Sequence, residues 1–199
     1  MIKVRKILSK DEIERGDRKR KIIISVILVA IMLFSSAGYA FFSNEETTTK
    51  IEKITYGGIE FTKTEYGTWQ FTQESYQFET KFTPEDTKNI SSQISKNLNN
   101  YYQKPLYFGV NSKMDIASFG NNEILRNMYP IVERNDLSCL DENCTEDKPI
   151  KDCSVDNVII FKESNESVIK TEEGCMVLYS PLYEQERVAD AFLFRILSI

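Results

Sequence analysis

Residues 157–179 read NVIIFKESNESVIKTEEGCMVLY, and this stretch decides the fold. Two apolar runs, Val158-Ile159-Ile160-Phe161 and Met176-Val177-Leu178, flank a shorter one, Val168-Ile169. Short β-branched runs bounded by turn-forming residues read as strands. The breaks are Glu163-Ser164-Asn165-Glu166 and Glu172-Glu173-Gly174, so the sequence predicts a three-stranded meander.

Working outward, residues 184–199 are helical in character. Val188, Ala191, Phe192, Leu193, Ile196 and Leu197 crowd one broad face, which is expected to dock on the sheet and close the core. Asp190 and Arg195 interrupt this face, and about 12 residues of apolar character are too few for a membrane span. Upstream, PLYFGV at 105–110 predicts an inner strand, and 114–128 reads as weakly helical around Ile116, Ile124, Leu125 and Met128, with Gly120 interrupting. Thr83-Pro84-Glu85-Asp86 is a helix start, with Thr at N-cap, Pro at N1 and acids in the first turn. Ile90, Ile94, Leu98 and Tyr101 continue at helical spacing, so one helix is predicted there, with these side chains in the core. Before it, Ile59/Phe61, Trp69/Phe71 and Tyr76/Phe78/Thr80/Phe82 alternate with a period of two, which predicts strands broken at Gly57-Gly58, Gly67 and 73–75. The expected fold class is α+β, one mostly antiparallel sheet domain over 55–199 with two or three packed helices.

The amino-terminal part differs in kind. Residues 22–42, IIISVILVAIMLFSSAGYAFF, contain no charge. As a helix they would extend about 31 Å, close to a bilayer's hydrocarbon thickness of roughly 30 Å. The chain has 25 basic and 30 acidic residues, and nine of the former but four of the latter stand in 1–21, leaving 16 basic and 26 acidic in the remainder. A basic head, an apolar run and an acidic body predict a cytoplasmic tail (1–21), a transmembrane helix (22–42), a polar stalk (43–54) and a domain outside the cell membrane. The lipid bilayer is then the first expected partner. The alternative is a cleaved signal peptide with Gly38-Tyr39-Ala40 at its end. Ser9-Lys10-Asp11-Glu12 has capping-box spacing, which allows the helix to begin earlier. A 21-residue basic tail interrupted by four acids is no nucleic-acid site.

Cys139, Cys144, Cys153 and Cys175 all lie in the body. An even count outside the cytoplasm predicts two disulfides, and the tight Leu-Asp-Glu-Asn loop favours Cys139–Cys144 with Cys153–Cys175. A four-cysteine zinc site is the alternative, but it normally uses pairs of the C-x2-C kind, which are absent. Three sequons, at Asn89, Asn143 and Asn165, sit in the body, and Asn165, in an expected turn, is the candidate acceptor for a glycan.

The single apolar span, Phe82-Thr83-Pro84 after the aromatic strands, CLDENCTEDKPIKDC at 139–153, VIIFKES, EEGCMVLYS and the closing AFLFRIL together resemble a group of uncharacterised archaeal single-pass membrane proteins. The resemblance covers most of residues 20–199. It implies an anchored outer domain with paired cysteines in an archaeal envelope, and it implies no activity.

The chain contains no histidine, which removes Ser-His-Asp triads, Cys-His pairs and His-ligated metals. No G-x-S-x-G, P-loop or dinucleotide fingerprint occurs, so no catalytic residue, cofactor or metal is expected. Acids around the cysteines (Asp141, Glu142, Glu146, Asp147, Asp152, Asp156) would do acid–base work if one of a pair were buried, but they read by default as a solvated face. The function expected is a membrane-anchored extracytoplasmic domain, a non-enzymatic binding or structural envelope protein with a protein or envelope partner. The alternatives are a carboxylate-dependent envelope hydrolase and an accessory subunit of a membrane complex.

Overall fold

The computed structural model describes residues 10–42, 52–110, 119–142, 144 and 147–199. The chain forms two compact units, Met1–Lys50 and Ile51–Ile199.

The described residues of the first unit form one helix, α1 (Lys10–Phe42). It begins where the capping-box spacing placed it; Ser9 lies outside the described residues. The expectation of a transmembrane helix over 22–42 is corrected: among the described residues, no helix is long and apolar enough to cross a membrane. The first third of α1 is densely charged, up to Arg18-Lys19-Arg20-Lys21.

The second unit begins with β1 (Lys53–Tyr56), β2 (Ile59–Lys63), β3 (Trp69–Gln73) and β4 (Tyr76–Thr80), an antiparallel sheet in that order. The part of the expected stalk up to residue 51 lies outside the described residues, and its end at 54 falls inside β1. The two-residue turns Gly57-Gly58 and Glu74-Ser75 both take positive φ, the geometry whose twist matches paired strands. Phe61, Phe71 and Phe78 line the inner face, with ring centroids 4.5 Å (Phe61–Phe71) and 5.3 Å (Phe71–Phe78) apart.

Next comes α2 (Pro84–Thr87), capped by a reciprocal box: Asp86 N–H donates to Thr83 Oγ1, and Thr83 N–H to Asp86 Oδ2. The long helix expected through 101 is corrected to this single turn. Lys88 and Asn89 turn the chain, and Ser91-Ser92-Gln93 pairs with a strand as β5 (Ser91–Gln93). Ser and Asn compete for backbone hydrogen bonds and favour such exits. Ile90, Leu98 and Tyr101 nevertheless reach the core by this irregular path.

The remaining elements are β6 (Leu106–Gly109), α3 (Phe119–Met128), β7 (Asn135–Ser138), β8 (Asn157–Glu163), β9 (Val168–Glu172), β10 (Cys175–Ser180) and α4 (Gln185–Ile196). Residues 111–118, including Ile116 of the weakly helical stretch, lie outside the described residues. The six strands form a second sheet in the order β5-β9-β10-β8-β6-β7. The single, mostly antiparallel sheet is therefore corrected to two sheets, the second of which is largely parallel; only β9 and β10 pair antiparallel. The predicted meander fails at one step. The link at 164–167 carries β9 one strand-width past β8, and the Glu173-Gly174 turn brings β10 back into the gap. Met176 is then opposite both Ile159 and Thr171. The α+β class stands.

The helix α4 lies between the sheets. It packs on β9 and β10 on one side, while Phe194 meets Phe61 at 6.1 Å and Phe71 at 5.9 Å on the other. Val188 to Phe194 are all buried, as a helix apolar on all sides requires. Beside it, α3 comes so close to β8 that a Cβ on Gly120 would stand 2.3 Å from the Phe161 ring. Asn127 of α3 closes the free edge of β4, accepting from Glu79 N–H at 2.7 Å and donating to Glu79 O at 2.8 Å.

Candidate functional site

The two faces of the six-stranded sheet are treated unequally. Phe108, Ile159, Phe161, Met176 and Leu178 join the main core under the helices. Alternate residues, Tyr107, Val158, Ile160, Cys175 and Val177, form a small separate cluster on the opposite face. Parallel sheets are normally covered on both faces. Here the cover is a segment from Cys139 to Asp156, without a helix among its described residues, and it leaves a cavity of about 1010 Å³. Leu140, Ile150 and Val177 supply apolar walls, and Lys151, Lys162 and Glu172 supply charge.

Both predicted disulfides are present, Cys139–Cys144 and Cys153–Cys175, with Cα–Cα distances of 5.7 and 4.8 Å. The second bridge fastens the covering segment to the start of β10. Cys139 also exchanges backbone hydrogen bonds, accepting from Lys151 at 2.9 Å and donating to Pro149 O at 3.0 Å. Gly174 makes the crossing possible: a Cβ there would lie 2.3 Å from the Cys153 carbonyl oxygen.

At one lip, the Tyr179 hydroxyl donates to the Glu172 carboxylate at 2.9 Å. Lys162 Nζ lies 3.4 Å from Glu172 Oε2, and Lys162 and Lys170 stand 5.5 and 5.7 Å from the Tyr179 ring centroid. The Tyr179 hydrogen bond, helped by the two lysines, holds the Glu172 carboxyl below its usual range. By Tyr107, Lys151 Nζ sits 4.3 Å over the ring, and Arg134 donates to its hydroxyl at 3.2 Å. A carboxylate kept ionised in this way presents fixed charge and is poorly matched to proton transfer near neutrality.

No family model, curated protein or solved structure matches the chain.

The acids around the cysteines do not converge. Asp141, Glu142, Asp147 and Asp152 are exposed, Glu146 lies outside the described residues, and Asp156 pairs with Lys151 at 3.3 Å. The Ser154 backbone N–H lowers the pKa of Asp152. Among the described residues, no group of three or more Cys, Asp or Glu gathers in a way that would hold a metal ion. Asn165 occupies an exposed bend between β8 and β9, while the hydroxyl of its sequon residue Ser167 donates to Glu184 at 2.5 Å. Asn89 is exposed in the turn after α2, and Asn143 lies outside the described residues.

A carboxyl pair does exist, but elsewhere. Asp190 of α4 and Glu123 of α3 are buried, at 0% and 4% exposure, and each carboxyl is close enough to perturb the other. Lys81 and Phe82 N–H both donate to Asp190 Oδ2 at 2.9 Å. The Arg126 guanidinium donates to Glu123 Oε1 at 2.5 Å. Asp190 inside the run VADAFLF was the visible signal, because an acid in an all-buried helix needs partners. Nothing in the sequence pointed to Glu123.

Proposed function

We propose that the chain is an extracytoplasmic, non-enzymatic binding protein whose partner, a protein or another envelope component, docks at the cavity on the open face of the six-stranded sheet. One observation carries this reading: among the described residues, a largely parallel sheet has one face covered by a disulfide-tied segment alone, with about 1010 Å³ beneath it. That volume lies at the upper end of those that hold ligands or anchor side chains, roughly 300–1,000 Å³. The mix of apolar wall and paired charge suits recognition, with Ile150 and Val177 for burial and Lys162 and Glu172 for orientation. Two disulfides in the same unit favour an oxidising compartment.

The test uses photo-crosslinking side chains in the full chain, in its native cells. One is placed at Ser154 on the cavity wall and one at Tyr66, an exposed turn residue of the other sheet. One partner is expected to crosslink from Ser154 and not from Tyr66, and Ile150→Asp with Lys162→Glu is expected to abolish the product. Equal labelling from both positions, or a product indifferent to the double variant, overturns the reading.

A further inference from the structure

The buried carboxyl pair lies apart from the cavity and needs its own explanation. Four elements converge on it. From α3 comes Glu123, with Arg126 bonded to its carboxylate. From α4 comes Asp190, with Glu186 one turn earlier. From β4 comes Glu79, 3.7 Å from Arg126. From the turn after β4 come Lys81, whose Nζ is 2.6 Å from Glu186, and the Lys81 and Phe82 N–H groups that bind Asp190. Lys81 is thus paired with Glu186, and Arg126 is divided between Glu79 and Glu123. Two ionised carboxylates side by side would leave an excess negative charge in the interior, whose cost rises steeply as water is excluded. On the described residues, Asp190 Oδ1 also meets no donor, so a proton on that oxygen, donated to Glu123, satisfies both acids at once.

We propose that Asp190 and Glu123 share a single proton, and that this proton is a pH-operated latch fastening α3 and α4 to the turn between β4 and α2. With the proton in place, the pair carries one negative charge. Asp190 Oδ2 accepts from the turn, and the Glu123 carboxylate accepts from Asp190 and from Arg126. When a base in solution removes the proton, two adjacent carboxylates remain, and their repulsion drives α4 from the turn. The direction of titration agrees: burial, and then the neighbouring Glu123, hold the Asp190 carboxyl well above the usual range, and burial raises Glu123 as well. An unfolded chain releases this proton near pH 4, whereas the folded chain retains it to higher pH. The latch is therefore fully stabilising below about pH 4 and is lost as pH rises through the raised value of the pair. Within that window, release of one proton changes the unfolding constant about tenfold per pH unit.

The experiment follows urea unfolding and amide hydrogen exchange of the full chain, disulfides intact, between about pH 4 and pH 9. The wild type is expected to lose stability as pH rises, and the Lys81 and Phe82 amides to lose protection over the same interval. Asp190→Asn keeps the shape, since its carboxamide accepts from the turn and donates to Glu123. It is expected to fold and to flatten both profiles. An Asp190→Asn protein with the wild-type pH slope, or with those two amides unprotected at every pH, overturns the proposal. Should that variant fail to fold, the wild type decides by infrared spectroscopy at pH 6. A protonated buried carboxyl band supports the latch, and its absence refutes it.

Discussion

Gly174 is fixed by two separate constraints. Its φ is +89°, and a Cβ would collide with the Cys153 carbonyl. Gly67 has a similar φ of +81° but open space around it. A left-handed residue with a Cβ costs roughly 1–2 kcal/mol. Gly67→Ala is expected to lose about that much by urea unfolding, and Gly174→Ala clearly more, because Cys153 and its bridge must also move. A second residue-scale expectation concerns Glu172. Tyr179→Phe removes the main cause of its lowered pKa, so its carboxyl titration, read by NMR, shifts upward. In the wild type, that hydrogen bond is present above the usual carboxylate range and is lost as pH falls through the lowered value. At this scale the sequence was a good guide to turns and a poor one to approach distances. Glu173-Gly174 is visible as a turn, but the Cys153 carbonyl over it depends on a segment about twenty positions earlier in the chain.

Among the elements, α4 holds the most. Phe194 touches Phe61 and Phe71 of one sheet from a helix seated on the other. Phe194→Ala is expected to destabilise the unit by about 3–5 kcal/mol. Thr83→Ala opens the capping box of α2 and is expected to cost about 1 kcal/mol; both are read as shifts in the denaturation midpoint. The terminal helix, the inner strand at 106–109 and three of the aromatic strands were legible because their apolar periods are unambiguous. The stretch after α2 was not. Ile90, Ile94, Leu98 and Tyr101 recur at helical spacing and pack in or against the core, yet the chain reaches them through a turn, a strand and a short 3-10 segment. Periodicity records which side chains are buried, and more than one backbone path serves the same burial. The run at 22–42 was read from its lack of charge alone, whereas α1, the helix that holds it, is densely charged over its first third.

At the scale of the whole molecule, one bridge closes a loop within the irregular segment and the other ties that segment to the open sheet face. The Cys153–Cys175 bridge closes a loop with a sequence separation of 22, for which the chain-entropy model gives about 3 kcal/mol. Replacing both cysteines by serine is expected to lower stability by about that amount, to leave the far-ultraviolet circular dichroism unchanged, and to weaken capture at the cavity because its wall is freed. The pairing was legible from spacing; the cavity was not, because it exists only where β10 enters between β8 and β9. That insertion has a further consequence. Strand β10 is interior to the sheet, so β5-β9 and β8-β6-β7 stay separate until residues 175–180 are in place. A growing polypeptide can assemble the aromatic hairpins as they emerge from the ribosome, but it cannot join the halves of the larger sheet before residues 175–180 have emerged. Truncation upstream of 175 should thus yield unjoined edges prone to proteolysis, rather than a smaller working domain.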